Sequence, residues 1–228
     1  MMPDPNAPPI NPLPTVVWIL AIPVMGVEAL ISLGEQGLIG GPGAVGWRLA
    51  AFQDFAFSGQ VFDWMLANGR YPPQQLMRFV TYPFIHAGAT HALFVTVFIL
   101  ALGKMVGEIF RAWAVLAVFF GAAFVGALAY GLLLNDPMPL IGGYPGVYGL
   151  IGAFTFVMWV RLAGTGAHQY RAFTLIGLLL GIQLVFGLLF GGSKDWVADL
   201  AGFLTGFTLS FFVSPGGWSR VLARMRHR

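Results

Sequence analysis

The chain has 228 residues, of which 57% are hydrophobic and only 9% charged. So few charges cannot cover the surface of a water-soluble domain, so the composition excludes one and indicates a polytopic membrane protein. Cysteine is absent, which excludes disulfides and thiolate metal sites, and a net charge of +3 with its basic residues at helix ends argues against nucleic-acid binding.

The first fourteen residues, MMPDPNAPPINPLP, are proline-rich and hold no Lys or Arg. They lack the basic start of a signal peptide and read as a disordered lead into a retained helix. Six apolar stretches then approach the roughly 20 residues needed to cross a bilayer. They fall at about 15–33, 84–103, 112–134, 142–162, 171–190 and 195–213. The expected fold is an all-α six-span bundle over residues 15–213, followed by a basic tail, 214–228, with no internal repeat and no second domain.

Six spans place both termini on one side. With the N-terminus inside, the inner segments hold Lys104, Arg111, Arg161, Arg171, Arg220, Arg224, Arg226 and Arg228, against Arg48, Arg70, Arg78 and Lys194 outside. The positive-inside rule therefore puts both termini in the cytoplasm, with the tail SRVLARMRHR facing anionic headgroups. The long outer loop, 34–83, contains WRLAAFQDFAF and VFDWMLANGR. So many aromatic residues predict packing at the membrane interface rather than an ordinary wet loop.

Polar side chains inside spans are expensive and are functional candidates by default. Here they are Glu28, His86, His91, Glu108, Tyr144, Tyr148, Gln183 and Asp199. Glu28, both histidines, both tyrosines and Asp199 fall near outer helix ends, which predicts an outward polar cavity. Glu28 could equally snorkel to the interface. Glu108 suits a surface pair with Lys104 four residues earlier, and Gln183 reads as structural. Asp199 lies among apolar and small residues in WVADLAGFLTG, where an unpartnered carboxylate is costly.

Small residues predict where helices touch. Ala198, Gly202 and Gly206 recur every four residues on the sixth span, and Gly142, Gly146 and Gly149 form a comparable face on the fourth. Such stripes let helix backbones approach closely in lipid. The expected contact would bring Tyr144 and Asp199 together.

These ordered features resemble the rhomboid intramembrane serine proteases. MRFVTYPFIHAGATH is similar to the family's Trp-Arg…His-x-x-x-x-His segment, with Arg78, His86 and His91 matching and Met77 in place of the tryptophan. LGKMVGEIFR is similar to its Gly-x-x-x-Glu ending, IGGYPGVYGLIG to its Gly-x-Ser-Gly-x-x-Tyr-Gly motif, and ADLAGFLTG to its Ala-His-x-x-Gly-x-x-x-Gly. The departures fall on the chemistry. Tyr144 and Pro145 stand at the serine and the glycine after it, Asp199 at the base histidine, and Val95 at the asparagine that stabilises the oxyanion. His86 is then what remains of the polar groups around the oxyanion.

A tyrosine phenol, with a pKa of about 10, is a poor nucleophile toward amides, and Pro145 has no N–H to offer an oxyanion. His86, His91 and Asp199 could be written as a two-histidine, one-carboxylate metal site. On one regular helix, however, a spacing of five sets the histidines about 140° apart. No cofactor or metal is expected. Pro145 suits the first turn of a helix, and Tyr144 is expected to plug the site by donating to Asp199, with Tyr148 one turn further. The resemblance therefore implies a bacterial-type pseudoprotease of the inner membrane. Its expected partners are the bilayer and transmembrane-helix clients, held without cleavage. The alternatives are a divergent active protease and a structural subunit of a membrane complex.

Overall fold

A proline-rich start and a long apolar run give the first helix. The computed structural model describes residues 12–134, 136–190 and 193–216, apart from the side chains of residues 184, 186–188 and 190. The tail SRVLARMRHR and most of the proline-rich lead lie outside the described residues. Helix α1, Thr15–Glu35, begins directly after Pro14 and carries Pro23 inside it. The outer loop that follows forms three short helices, α2 (Trp47–Phe55), α3 (Gly59–Asn68) and α4 (Pro73–Thr81). Each has a local cause. Ser58 caps α3 by accepting the Val61 N–H, Gly69 ends it in the left-handed conformation, and Pro72-Pro73 opens α4.

The long helices are α5 (Ala89–Gly107), α6 (Ala112–Leu133), α7 (Tyr144–Thr165), α8 (Thr174–Phe190) and α9 (Trp196–Val213). Among the described residues, α1 and four of these, α5, α6, α7 and α9, are long and apolar enough to cross a membrane. The counterpart of the fifth expected span, α8, has 17 residues, because Gln169–Phe173 winds into a 3-10 turn before it. The second expected span also starts later than its apolar run suggests. Tyr82–Phe84 is a 3-10 turn, Ile85 is extended, and the helix begins only after Gly88. His86 is therefore not on a helix.

Helix α7 is the centre of the bundle. In its apolar stretch 61% of residues are buried, against 33–44% in the other four spanning helices. Its contact with α9 is backbone on backbone. A Cβ at Gly206 would overlap the Gly149 carbonyl, one at Gly202 the Pro145 carbonyl, and one at Gly152 the Phe203 carbonyl. Helix α6 closes the third side, where a Cβ on Gly126 would stand 2.8 Å from the Ala198 carbonyl and 2.9 Å from Pro145 Cβ. Small residues replace side-chain volume with backbone proximity, which is how helices gain contact in a lipid solvent.

The first loop is partly internal. Phe57, Phe62, Phe79 and Tyr82 form a buried cluster against α6, and the Tyr82 hydroxyl donates to the Ala123 carbonyl at 2.7 Å. Many of the aromatics read as interfacial thus fill a second small core. Leu49, Trp64, Tyr71, Leu76 and Val80 remain exposed on the outer side of the loop.

The glycine seam makes a direct test. Gly206→Ala is expected to cost about 1–3 kcal/mol through overpacking. Gly26→Ala, whose Cβ meets nothing within 4 Å, is expected to leave stability unchanged or raise it by up to about 1 kcal/mol through helix propensity. Thermal unfolding in detergent distinguishes the two.

Candidate functional site

The site is assembled where three pieces of irregular backbone meet the start of α7. Phe57 and Leu140 exchange backbone hydrogen bonds of 3.1 and 2.8 Å, and the Gly142 N–H donates to the Tyr82 carbonyl at 3.0 Å. These bonds seat the strand-like approach to α7 on the first loop. Gly142 has φ +88, and a Cβ there would lie 2.7 Å from His91 Nε2. Only glycine satisfies both demands. A Cβ on Gly143 would lie 2.8 Å from Val95 Cγ1, and one on Gly146 2.6 Å from the Phe119 ring. Val95 is thus directly against the turn that precedes Tyr144.

Tyr144 is the first residue of α7, and Pro145 fits behind it where no helical N–H is required. The Tyr144 ring stacks on His91, with centroids 5.2 Å apart and planes inclined by 21°. His91 meets His86 edge-on at 5.0 Å. His91 Nδ1 accepts the Ala87 N–H at 3.3 Å. Of the two histidines His91 lies nearer the turn before Tyr144, since a Cβ on Gly142 would stand 2.6 Å from His91 Cε1 and 3.7 Å from His86 Cδ2. The helical angle between the two histidines has no meaning, because His86 precedes α5.

Asp199, 2% exposed, sits on the first turn of α9. Its Oδ2 accepts from Gln183 Nε2 at 2.9 Å, and Oδ1 has no hydrogen-bond partner. The expected Tyr144–Asp199 hydrogen bond is not made. The amide of Gln183, reaching across from α8, takes the carboxyl, while the Tyr144 ring is held by His91. Gln183, read from sequence as structural, is the polar partner that the sequence reading missed. Tyr148 lies one turn along α7, and with Tyr144, Phe98, Leu179, Ile182 and Gln183 it lines a cavity of about 190 Å³ between α5, α7 and α8.

A second buried polar cluster was also missed. Glu28 is 2% exposed, so it does not snorkel. Arg48 of α2 grips it through both guanidinium nitrogens, at 2.9 and 3.1 Å. The same guanidinium donates to Glu35 at 2.9 Å and to the His86 carbonyl at 2.8 Å, and Ser32 donates to Glu28 at 2.7 Å. Glu28 and Glu35 hold Arg48 protonated even above its usual range. One arginine thereby ties the first loop, α1 and the backbone before α5. Arg78 does a parallel job within the loop, donating to the Ala56 and Gln53 carbonyls. Lys104 and Glu108 pair at 4.0 Å across one helical turn.

His86 is fully buried, and neither ring nitrogen has a partner. Burial, with neighbouring His91 as the second cause, pushes its imidazole down to about 4. It is neutral at pH 7. Among the described residues, no three His, Asp or Glu side chains are grouped to hold a metal.

The helical bundle, its unusual outer loop and the turn at α7 define a polytopic α-helical membrane protein with an intramembrane protease architecture. A family model for the rhomboid domain matches residues 73–216. The chain is 31% identical over 171 residues to Rhomboid-like protease 3 of Toxoplasma gondii, an alignment covering 69% of this chain and 63% of that relative. It is 27% identical over 153 residues to the putative rhomboid protease YdcA of Bacillus subtilis, covering 64% and 69%. It is 25% identical over 143 residues to RHOMBOID-like protein 7 of Arabidopsis thaliana, covering 61% and 44%. The chain belongs to the rhomboid family.

Two outcomes follow from this geometry. Because the folded His86 titrates below the ordinary value of about 6.5, its contribution is complete above that pH and declines as pH falls toward 4. Detergent-solubilised wild type should therefore lose more thermal stability between pH 7 and 4.5 than His86→Asn does. Arg48→Met should cost about 3–5 kcal/mol by leaving the Glu28 carboxylate buried and unpaired, and Glu28→Gln added to it should restore part of the loss in chemical denaturation.

Proposed function

We propose that this protein is a non-proteolytic rhomboid that binds transmembrane segments without cutting them. One observation carries the reading: the nucleophile position holds Tyr144-Pro145, with Tyr144 stacked on a histidine and the base position, Asp199, engaged by Gln183 instead. Amide hydrolysis needs a nucleophile, a base in hydrogen-bond reach and donors for the oxyanion. Here the phenol has no base, Val95 offers no donor, and Pro145 has lost its N–H.

Four serines among the described residues are engaged elsewhere. Ser32 bonds Glu28, Ser58 caps α3, and Ser210 bonds the Gly206 carbonyl. Ser193 bonds Asp195, where burial raises the carboxyl above its usual range despite that bond. None of these partners is a histidine. The retained turn, the glycine seam and the lateral cavity suit recognition of a helix in the membrane. We place the protein as a multi-pass component of a bacterial inner membrane with both termini in the cytoplasm, from the distribution of Lys and Arg. The competing reading is a protease with divergent residues, in keeping with the names of two relatives.

A fluorophosphonate probe separates these readings. Wild type should remain unlabelled after purification in mild detergent, and labelling of any serine would overturn the proposal. Tyr144→Ser combined with Pro145→Gly and Asp199→His shows whether the frame can accept the missing groups. A client binder should also co-purify with variable, exchangeable partners, whereas fixed stoichiometry would indicate a structural subunit.

A further inference from the structure

The cavity between α5, α7 and α8 is graded in polarity along its length. Helix α7 runs inward from Tyr144 and α8 runs outward toward Gln183, so Tyr144, Tyr148 and Gln183 mark its outer end. Deeper in, its walls are Phe98, Ile151 and Leu179, and none of its lining residues carries a charge. The polar groups differ in what they offer. Gln183 gives its NH2 to Asp199, and its Oε1 is sealed off, as is Asp199 Oδ1. The phenol oxygens of Tyr144 and Tyr148 are neither hydrogen-bonded among the described residues nor sealed off. A tyrosine hydroxyl in such surroundings normally finds a partner. Two donors thus stand open at the outer end of an apolar cleft.

Shape and surroundings select the occupant. The stretch from Tyr144 to Ile151 is about 10 Å long at 1.5 Å per residue, and about 190 Å³ spread over it gives a bore of roughly 20 Å². That admits one extended hydrocarbon chain and excludes a helix, whose diameter with side chains is about 10–12 Å. Water fits the deeper part poorly, because an ordered water needs about two to four polar partners. The mouth faces hydrocarbon. Ile182 lines the cavity yet is 47% exposed, Leu178 beside it is exposed, and so are Phe94 and Val97 on α5.

We propose that this cleft is a lipid site, holding one ester-linked acyl chain of an outer-leaflet glycerophospholipid. The chain enters past Ile182 and lies between Phe98 and Leu179, and its ester carbonyl accepts from the phenol hydroxyls at the outer end. The cleft repeats the lipid's own order, with an uncharged polar group toward the interface and hydrocarbon below it. A free carboxylate would be buried there without a cation, whereas an ester needs only a donor. The site does not depend on the client-binding reading, since the lipid is held whether or not a client helix is present.

The test uses the full chain in phosphatidylcholine nanodiscs containing a trace of phosphatidylcholine with a mid-chain diazirine, in ester-linked or ether-linked form. After photolysis, adducts are mapped by mass spectrometry and scaled to those at Val125, an exposed residue of α6. Tyr148 and Ile151, only 5% and 1% exposed, should carry adducts, whereas Leu150 and Ala153, buried and outside the lining, should not. The ester lipid should label Tyr148 and Ile151 about three-fold or more above the ether lipid, the range of one or two net hydrogen bonds. Tyr144→Phe with Tyr148→Phe keeps both rings and should abolish that preference at Ile151 while leaving Val125 labelling unchanged. Absence of adducts at Tyr148 and Ile151 would overturn the proposal, as would equal labelling by the two lipids or a preference that survives the double substitution. A diazirine fatty acid that labels these residues more strongly than the ester lipid would overturn the assignment to a phospholipid ester.

Discussion

Everything at this site depends on α7 and α9 touching through their backbones. Gly149 against Gly206, Pro145 against Gly202 and Gly152 against Phe203 leave no room for a single methyl group between the helices. In a solvent as apolar as the side chains themselves, burial of apolar area gives little net force. Close van der Waals approach supplies the attraction instead. The seam fixes where Tyr144 and Asp199 stand, because each belongs to the first turn of its helix. Helix α6 joins at the same level through Gly126, and the Tyr82 hydroxyl bond to Ala123 fastens the outer loop to it.

Around that seam the side chains pack closely. Tyr144 fills space over His91. Val95 fills space beside Gly143. Pro145 supplies a helix start and presses its carbonyl on Gly202. Each residue suits its local geometry, and on the proposed reading together they supply no nucleophile–base pair. Asp199 is the exception, since its environment satisfies only one of its oxygens. A buried acceptor left open in lipid is costly.

Much of this was legible in the sequence because it depends on local rules. Glycine every fourth residue marks a close helix contact whatever its partner, and apolar runs of membrane length mark spans. Proline after Tyr144 marks a helix start and the loss of a donor. The missed features depend on distant residues. Arg48 and Glu28 are twenty positions apart and meet only when the first loop folds back on α1. Gln183 reaches Asp199 across two helices, so its role has no sequence signal beyond being polar in an apolar run. The apolar segment after Tyr82 looked helical, but Pro83 and Gly88 break it, and His86 fell off the helix with it. The loop aromatics illustrate an ambiguity of composition, since Phe57, Phe62 and Phe79 serve a core rather than an interface.

The central proposal is that this rhomboid does not hydrolyse peptides. The most direct measurement is turnover: reconstitute the wild-type chain in proteoliposomes with a quenched single-span peptide that an active rhomboid cleaves, and follow both fluorescence and intact mass. The account predicts full-length peptide and no signal above protein-free liposomes over many hours, while the active control consumes it. A defined cleavage product formed by wild type, in proportion to its concentration, would contradict the account.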